Sequence, residues 1–364
     1  MSRSRVRYAR AVSVAALLLG GCGSPPAPAY LRDNEAALEL SRHGQHAEAA
    51  ARYERAAADA DKPRDAEEAR YRAAASYARA GDVTKARSLY EKLAKEAHDR
   101  ERRARADFAL GELLEASGDG AGAQAHWAGA IERNPSSGNS RSALSRHLDY
   151  LREQGGSAAV LAYLDAVSPK LTQTELGESV CYFRARELDA LERTTAARDG
   201  YLDCARRYPY PGGAYWDDAL FRAAEKELQL GAPAQAIAHL ERMLAERESA
   251  NFVGSYEKGR FAEAQLKLGQ IYRDALHDAA RARRELRKVW LNHPKNRLAD
   301  DALFEEALLA RAANDERGAC EPLGIIVSKL PESRYAACAH ELCSSLPAGA
   351  APCHEYIKRA AGLP

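Results

Sequence analysis

An excess of charge of either sign is what this chain most plainly lacks. Its 364 residues carry 53 Lys and Arg against 52 Asp and Glu, a net charge of +1. No global basic surplus points to nucleic acid, and no acidic tail suggests a solvating arm. Aromatics make up only 7%, and 25 Gly with 15 Pro are too few for a low-complexity chain. The 46% hydrophobic content is too high for disorder, and a mean hydropathy of −0.50 is too low for a multispanning membrane protein. Enzyme signatures are missing: no G-x-G-x-x-G after a strand, no G-x-x-x-x-G-K-[ST], no H-E-x-x-H and no G-x-S-x-G. Strand-like alternation is nearly absent, so no α/β scaffold is expected to hold such loops. His43 and His46 are separated by Gly44 and read as a turn surface rather than a metal site. No catalysis, cofactor, metal, nucleic acid or small-molecule substrate is expected.

What is present begins with an address. Arg3, Arg5, Arg7 and Arg10 precede an apolar run from Ala11 to Leu19 that is too short to span a bilayer as a mature helix. Leu19-Gly20-Gly21-Cys22 follows. This run resembles the bacterial lipobox, which implies a signal peptide over 1–21 and diacylglyceryl attachment, with palmitate-type chains, at Cys22. The alternative is an ordinary secretory cleavage site beside a chance Cys. A Pro- and Ala-rich tether over 22–30 comes next. Removing the four arginines leaves 49 basic against 52 acidic residues, a net of −3. No Asp follows Cys22 closely, and by resemblance to the sorting rule of Gram-negative lipoproteins this implies an outer-membrane lipoprotein facing the periplasm.

Internal periodicity decides the fold. Gly44, Gly81, Gly118 and Gly155 stand 37 residues apart, each between two helical patterns, and the next step lands on Glu192. Glycine there supplies the positive φ that ends a helix. The third unit reads Asp107, Leu110, Gly111 and Leu114, then Ala123, Trp127, Ala130 and Pro135. Small residues at Gly111, Ala123 and Ala130 let two antiparallel helices approach, and Trp127 fills the space beside them. This order resembles the tetratricopeptide repeat, W-x₂-L-G-x₂-Y, then A-x₃-F, then P. Asp107 stands for the Trp and Leu114 for the Tyr. The expected fold is all-α, a right-handed α-solenoid of about eight tetratricopeptide-like helix hairpins. Repeats one to three cover 31–135, four and five 136–209, and six to eight 210–332; a C-terminal cap helix and Cys-rich tail fill 333–364. Asp217-Asp218-Ala219-Leu220-Phe221 recurs as Asp300-Asp301-Ala302-Leu303-Phe304, and the Asp pair is expected to cap a first helix. The basic run Arg100 to Arg105 is expected on a solvated face with pairs inside its own helix.

Seven Cys remain to be placed. Setting Cys22 aside for lipid leaves an even six, as suits an exported chain. Cys181 and Cys204 are mirror-related about the turn near Glu192, and Cys320 and Cys343 about Pro331. Cys338 is then left for Cys353. Buried free thiols at 181 and 204, and a metal site using His340 or His354, are the competing readings.

By the tetratricopeptide resemblance, first helices line an inner groove. Tyr71, Phe108, Tyr182, Phe221 and Phe304 share one position of the repeat that would border it. They are either packing between repeats or a ladder of anchors for an extended peptide or helix. Arg79, Glu112, Asp149, Arg152, Arg186, Asp189, Gln270, Arg273 and Arg311 are neighbouring groove candidates of mixed sign. The expected function is a lipid-anchored scaffold that binds a protein or peptide partner in a cell-envelope complex. The alternative is an accessory subunit of a peptidoglycan-remodelling or polysaccharide-export machine.

Overall fold

The computed structural model describes residues 25–246, 260–349 and 351–363. Signal peptide and Cys22 lie outside those residues. Two compact units divide the chain at Ala143/Leu144.

In the first unit three helix hairpins follow one another: α1 (Pro28–Arg42) with α2 (His46–Ala58), α3 (Pro63–Arg79) with α4 (Val83–Glu96), and α5 (Arg100–Ala116) with α6 (Gly120–Arg133). The tether expected to run to residue 30 gives way to helix at Pro28, where proline's fixed φ suits a first helical position. Gly44, Gly81 and Gly118 have φ of 77°, 82° and 87° and close the three turns. The second helices of the second and third hairpins start on an aspartate: the Asp82 carboxylate accepts from Lys85 N (3.1 Å) and that of Asp119 from Gly122 N (2.9 Å), whereas α2 starts on Gln45. Close approach inside the third hairpin rests on Gly111, since a Cβ there would overlap the Trp127 indole. Trp127 is wholly buried.

The helical segment α7 (Gly138–Leu171) opens before the boundary and turns at Gly155 and Gly156. Here the sequence expectation is corrected by one residue: Gly155 has φ −147°, and the positive φ of 65° belongs to Gly156. In the second unit, α8 (Gly177–Ala190) pairs with α9 (Thr194–Arg207), α10 (Trp216–Gln229) with α11 (Pro233–Ala245), α12 (Arg260–Asp274) with α13 (Ala279–Asn292), and α14 (Ala299–Ala312) with α15 (Glu316–Lys329). A 3₁₀ turn at Ala336–Cys338, α16 (Ala339–Leu342) and α17 (Glu355–Ala360) complete it. Counting the two arms of α7, this is an all-α solenoid-type run of eight hairpins, with no strand among the described residues. Three turns here work without glycine. Glu192, His277 and Asn314 take positive φ of 55°, 51° and 56° themselves, a cost that packing on both sides must offset.

Cys181–Cys204, Cys320–Cys343 and Cys338–Cys353 are joined, with Cα–Cα distances of 5.8, 5.4 and 4.5 Å. The first two are the mirror pairs read from the sequence, and the third is the pair left over. The last two sit in an apolar cluster with Leu323, Ile326, Leu342 and Ile357 that packs the C-terminal turns against α15.

Candidate partner-binding face

Four of the five repeat-position aromatics are covered by a residue from the next first helix or its lead-in. Tyr71 lies under the Arg105 guanidinium, 3.7 Å from the ring centroid. Tyr182 stacks on Tyr215 at 4.4 Å and 7°. Phe221 lies under Arg260 at 5.0 Å, and Phe304 stacks on Tyr335 at 4.1 Å and 13°. Tyr182, Phe221 and Phe304 are only 7%, 5% and 5% exposed. The structure therefore places these rings as rungs between repeats, not as free anchors in a groove. Phe108 is the exception; it is half-buried, and its ring neighbour is Trp127 of its own hairpin, at 6.4 Å.

Four of the nine polar groove candidates, Arg152, Asp189, Gln270 and Arg273, are spent the same way. Arg152 Nη2 donates to Glu187 (2.6 Å) and Lys226 Nζ to Asp189 (2.5 Å). Arg273 Nη1 and Gln270 Nε2 both donate to Glu305, at 2.5 and 3.0 Å. In the first unit Arg105 donates to Glu68 (2.9 Å) and Arg102 to Glu67 (2.7 Å). This corrects the expectation for Arg100 to Arg105: Arg102 and Arg105 reach the preceding repeat rather than partners in their own helix. The signal was in the sequence. Glu68 and Arg105 are 37 residues apart, as are Asp189 and Lys226, and Glu187 follows Arg152 by 35. Opposite charges one repeat apart are a ladder.

The recurring Asp pair joins this ladder too. Tyr215 and Leu298, not the aspartates, occupy the N-cap positions of α10 and α14. Asp218 instead accepts from Tyr182 and from Arg260. Asp301 accepts from Arg334 (2.6 Å) and the Tyr335 hydroxyl (2.7 Å), and Asp300 from Ser333 (2.7 Å). Glu67 shows what such a position does to a charge. Burial opposes its carboxylate, but the His98 N–H and ring and the Arg102 guanidinium more than offset that and hold its pKa below the ordinary value.

What remains open to a partner is smaller than the sequence suggests. Arg186 is exposed and lies 4.7 Å from the Phe183 ring centroid, with Glu187 3.5 Å away. Arg79 and Glu112 are exposed on first helices. Arg311 borders a polar pocket of about 600 Å³ together with Asn314, Glu341 and the bridged Cys320 and Cys343. Its Nη1 is buried there without a hydrogen-bond partner among the described residues. No group of three His, Cys, Asp or Glu among those residues is placed to hold a metal, and no described helix is long and apolar enough to cross a membrane.

Comparison with known proteins is consistent with the hairpin geometry. The tetratricopeptide-repeat family profile matches residues 68–97 and 263–296, one match in each unit. No curated protein matches. Among solved structures, the C-terminal part of a TPR repeat-containing protein from Cytophaga hutchinsonii is 13% identical, covering 74% of this chain and 98% of its own, at a TM-score of 0.44. PilF of Pseudomonas aeruginosa is 17% identical over 64% of this chain and 95% of its own, at 0.39. The TPR2AB domain of yeast Sti1, solved with pHSP90, is 13% identical over 80% and 98%, at 0.30. At these values none of the three bears on function.

Proposed function

We propose that the chain is a scaffold of the bacterial cell envelope, held to the outer membrane by lipid on Cys22 and facing the periplasm, where its repeats bind a protein or peptide partner. The observation that carries the reading is the run Leu19-Gly20-Gly21-Cys22, set behind a cationic and then an apolar segment and followed by helix hairpins with tetratricopeptide repeats. Three disulfides within 181–353 suit an oxidising compartment. Action by binding rather than catalysis fits a chain in which a ladder of charged side chains holds one repeat to the next. Partner contact falls to what the first helices leave open, with Arg186 and the half-buried Phe108 the leading candidates, Arg273, tied to Glu305, behind them, and the buried rungs Tyr182, Phe221 and Phe304 the weakest.

Metabolic labelling with palmitate tests the anchor: label should enter the protein and disappear in Cys22→Ser. Label that survives in the Ser variant would sink the lipoprotein reading. For the binding face, Arg186→Glu and Phe108→Ala should lower crosslinking to envelope partners while far-UV circular dichroism holds. Unchanged crosslinking by both variants would move the site elsewhere.

A further inference from the structure

One surface is built in a way that neither the repeat nor the partner face requires. Between 281 and 297 the chain carries seven basic residues, Arg281, Arg283, Arg284, Arg287, Lys288, Lys295 and Arg297, and a single acidic one, Glu285. Two of the seven are committed to neighbouring helices. Arg283 bonds Asp315 (2.9 Å), and Arg287 bonds Glu306 (2.7 Å) and Glu321 (2.6 Å). Arg281, Arg284, Lys288, Leu291 and Lys295 follow at steps of three, four, three and four, which sets them along one side of α13 and the turn beyond it. All five are exposed. Leu291, at 65%, is more exposed than Leu31, Leu38, Leu230, Leu276 or Tyr356, the other large apolar side chains left open to solvent.

This stripe is not common to the repeats. Counted from the helix start, α15 has Gly318, Glu321, Ile325 and Ser328 at the places of Arg281, Arg284, Lys288 and Leu291, and α11 has Gln235, Ala238, Arg242 and Ala245. In α4, Lys85, Lys92 and Lys95 stand at three of the four places, with Ser88 at the other and no leucine. Nor is it neutralised. Asp278 lies 3.3 Å from Arg281 and Glu285 2.8 Å from Lys288, which leaves two acids against four cations. Arg284 and Lys295 have no ionic partner among the described residues. A row of exposed cations about 20 Å long with one leucine on it is the outer ridge of a helix. A ridge fits a plane, whereas a bound peptide needs a cleft for its side chains. Diffuse phosphate charge with an apolar layer just beneath matches both kinds of group at once.

We infer that the outer face of α13 docks on an anionic phospholipid surface, with Arg281, Arg284, Lys288 and Lys295 over the phosphates and Leu291 entering the interface. The contact is separate from any acyl chain on Cys22. The experiment uses the chain carrying Cys22→Ser, so that acyl chains play no part, and measures sedimentation with vesicles. One set is phosphatidylcholine with phosphatidylglycerol, the other phosphatidylcholine alone. Binding to the anionic set should be preferred and should weaken with salt. Arg284→Glu with Lys288→Glu should lower affinity for it at least about tenfold, and Leu291→Asp several-fold with the salt dependence kept. Residues 1–21 are common to parent and variants, so the difference between them is the readout, and circular dichroism confirms that the variants are folded. Equal binding to both vesicle types, or charge-reversed protein that binds as the parent does, overturns the inference. So does charge-sensitive binding to polyglutamate with none to vesicles, which would assign the stripe to an acidic protein.

Discussion

The three hairpins of the first unit and the repeats of the second solve the same problem with different side chains. Each must hold a thin repeat to its neighbour. In the first unit the rung at Tyr71 is a guanidinium over a ring, flanked by Glu68–Arg105 and by Glu67 with Arg102 and His98. In the second, rings stack on rings at Tyr182–Tyr215 and Phe304–Tyr335, a guanidinium again covers the ring at Phe221–Arg260, and disulfides staple α8 to α9 within one hairpin and Cys320 to Cys343. Cation–ring and ring–ring contacts are each worth about 0.5–2 kcal/mol, so the repeat geometry fixes the position of the rung and leaves its chemistry free. The difference shows in what each region responds to. Both units bury paired carboxylates, Glu67 in the first and Glu187 and Glu306 in the second; the first has no Cys among its described residues, and the second adds oxidised sulfur.

Removing a rung should therefore hurt most where it is a buried ring. Tyr182→Ala and Phe304→Ala should each cost about 3–5 kcal/mol in urea unfolding. Phe108→Ala, half-buried and uncovered by a later ring or guanidinium, should cost clearly less. Next in size is the effect of breaking the terminal staples: Cys338→Ser with Cys353→Ser should cost about 2–4 kcal/mol. Amide exchange should then accelerate first beyond Pro331, with protection over residues 28–133 unchanged. Gly111→Ala comes third, at about 1–3 kcal/mol, because the new methyl must displace the Trp127 indole.

The smallest effect depends on pH. Glu67→Gln should cost about 1–2 kcal/mol at neutral pH. The folded-state pKa of Glu67 is lowered from an ordinary value of 4.5, so its ionised form stabilises the fold above that value. The contribution fades as pH falls through the lower, folded-state pKa. Thermal scans from pH 7 downward should show parent and Gln variant converging at acid pH. A gap that stays constant would mean that Glu67 acts through packing alone.

Much of this was legible in the residues. The 37-residue step from Gly44 to Gly118 gave both the period and the turns, because only glycine takes that φ freely. Mirror positions about the turns gave Cys181–Cys204, where antiparallel helices bring equidistant residues face to face, and Cys320–Cys343, which left Cys338 for Cys353. The Gly155-Gly156 pair hid which residue turns, since either can. The turn at Glu192 was reached by the period alone, without a glycine to mark it, while His277 and Asn314 hid their turns because packing, not propensity, holds their φ. For the aromatics, period alone said that five rings share a position but not what covers them. That answer lay one repeat downstream, in Arg105, Tyr215, Arg260 and Tyr335, and it emerges only when residues are read in pairs across the period.

The central claim is that the shared aromatic position binds its own repeat to the next. A double-mutant cycle on Phe304 and Tyr335, each changed to Leu singly and together, tests it most directly by urea unfolding. Stacking at 4.1 Å predicts a coupling of about 0.5–1.5 kcal/mol. Additive losses, with coupling near zero, would contradict it.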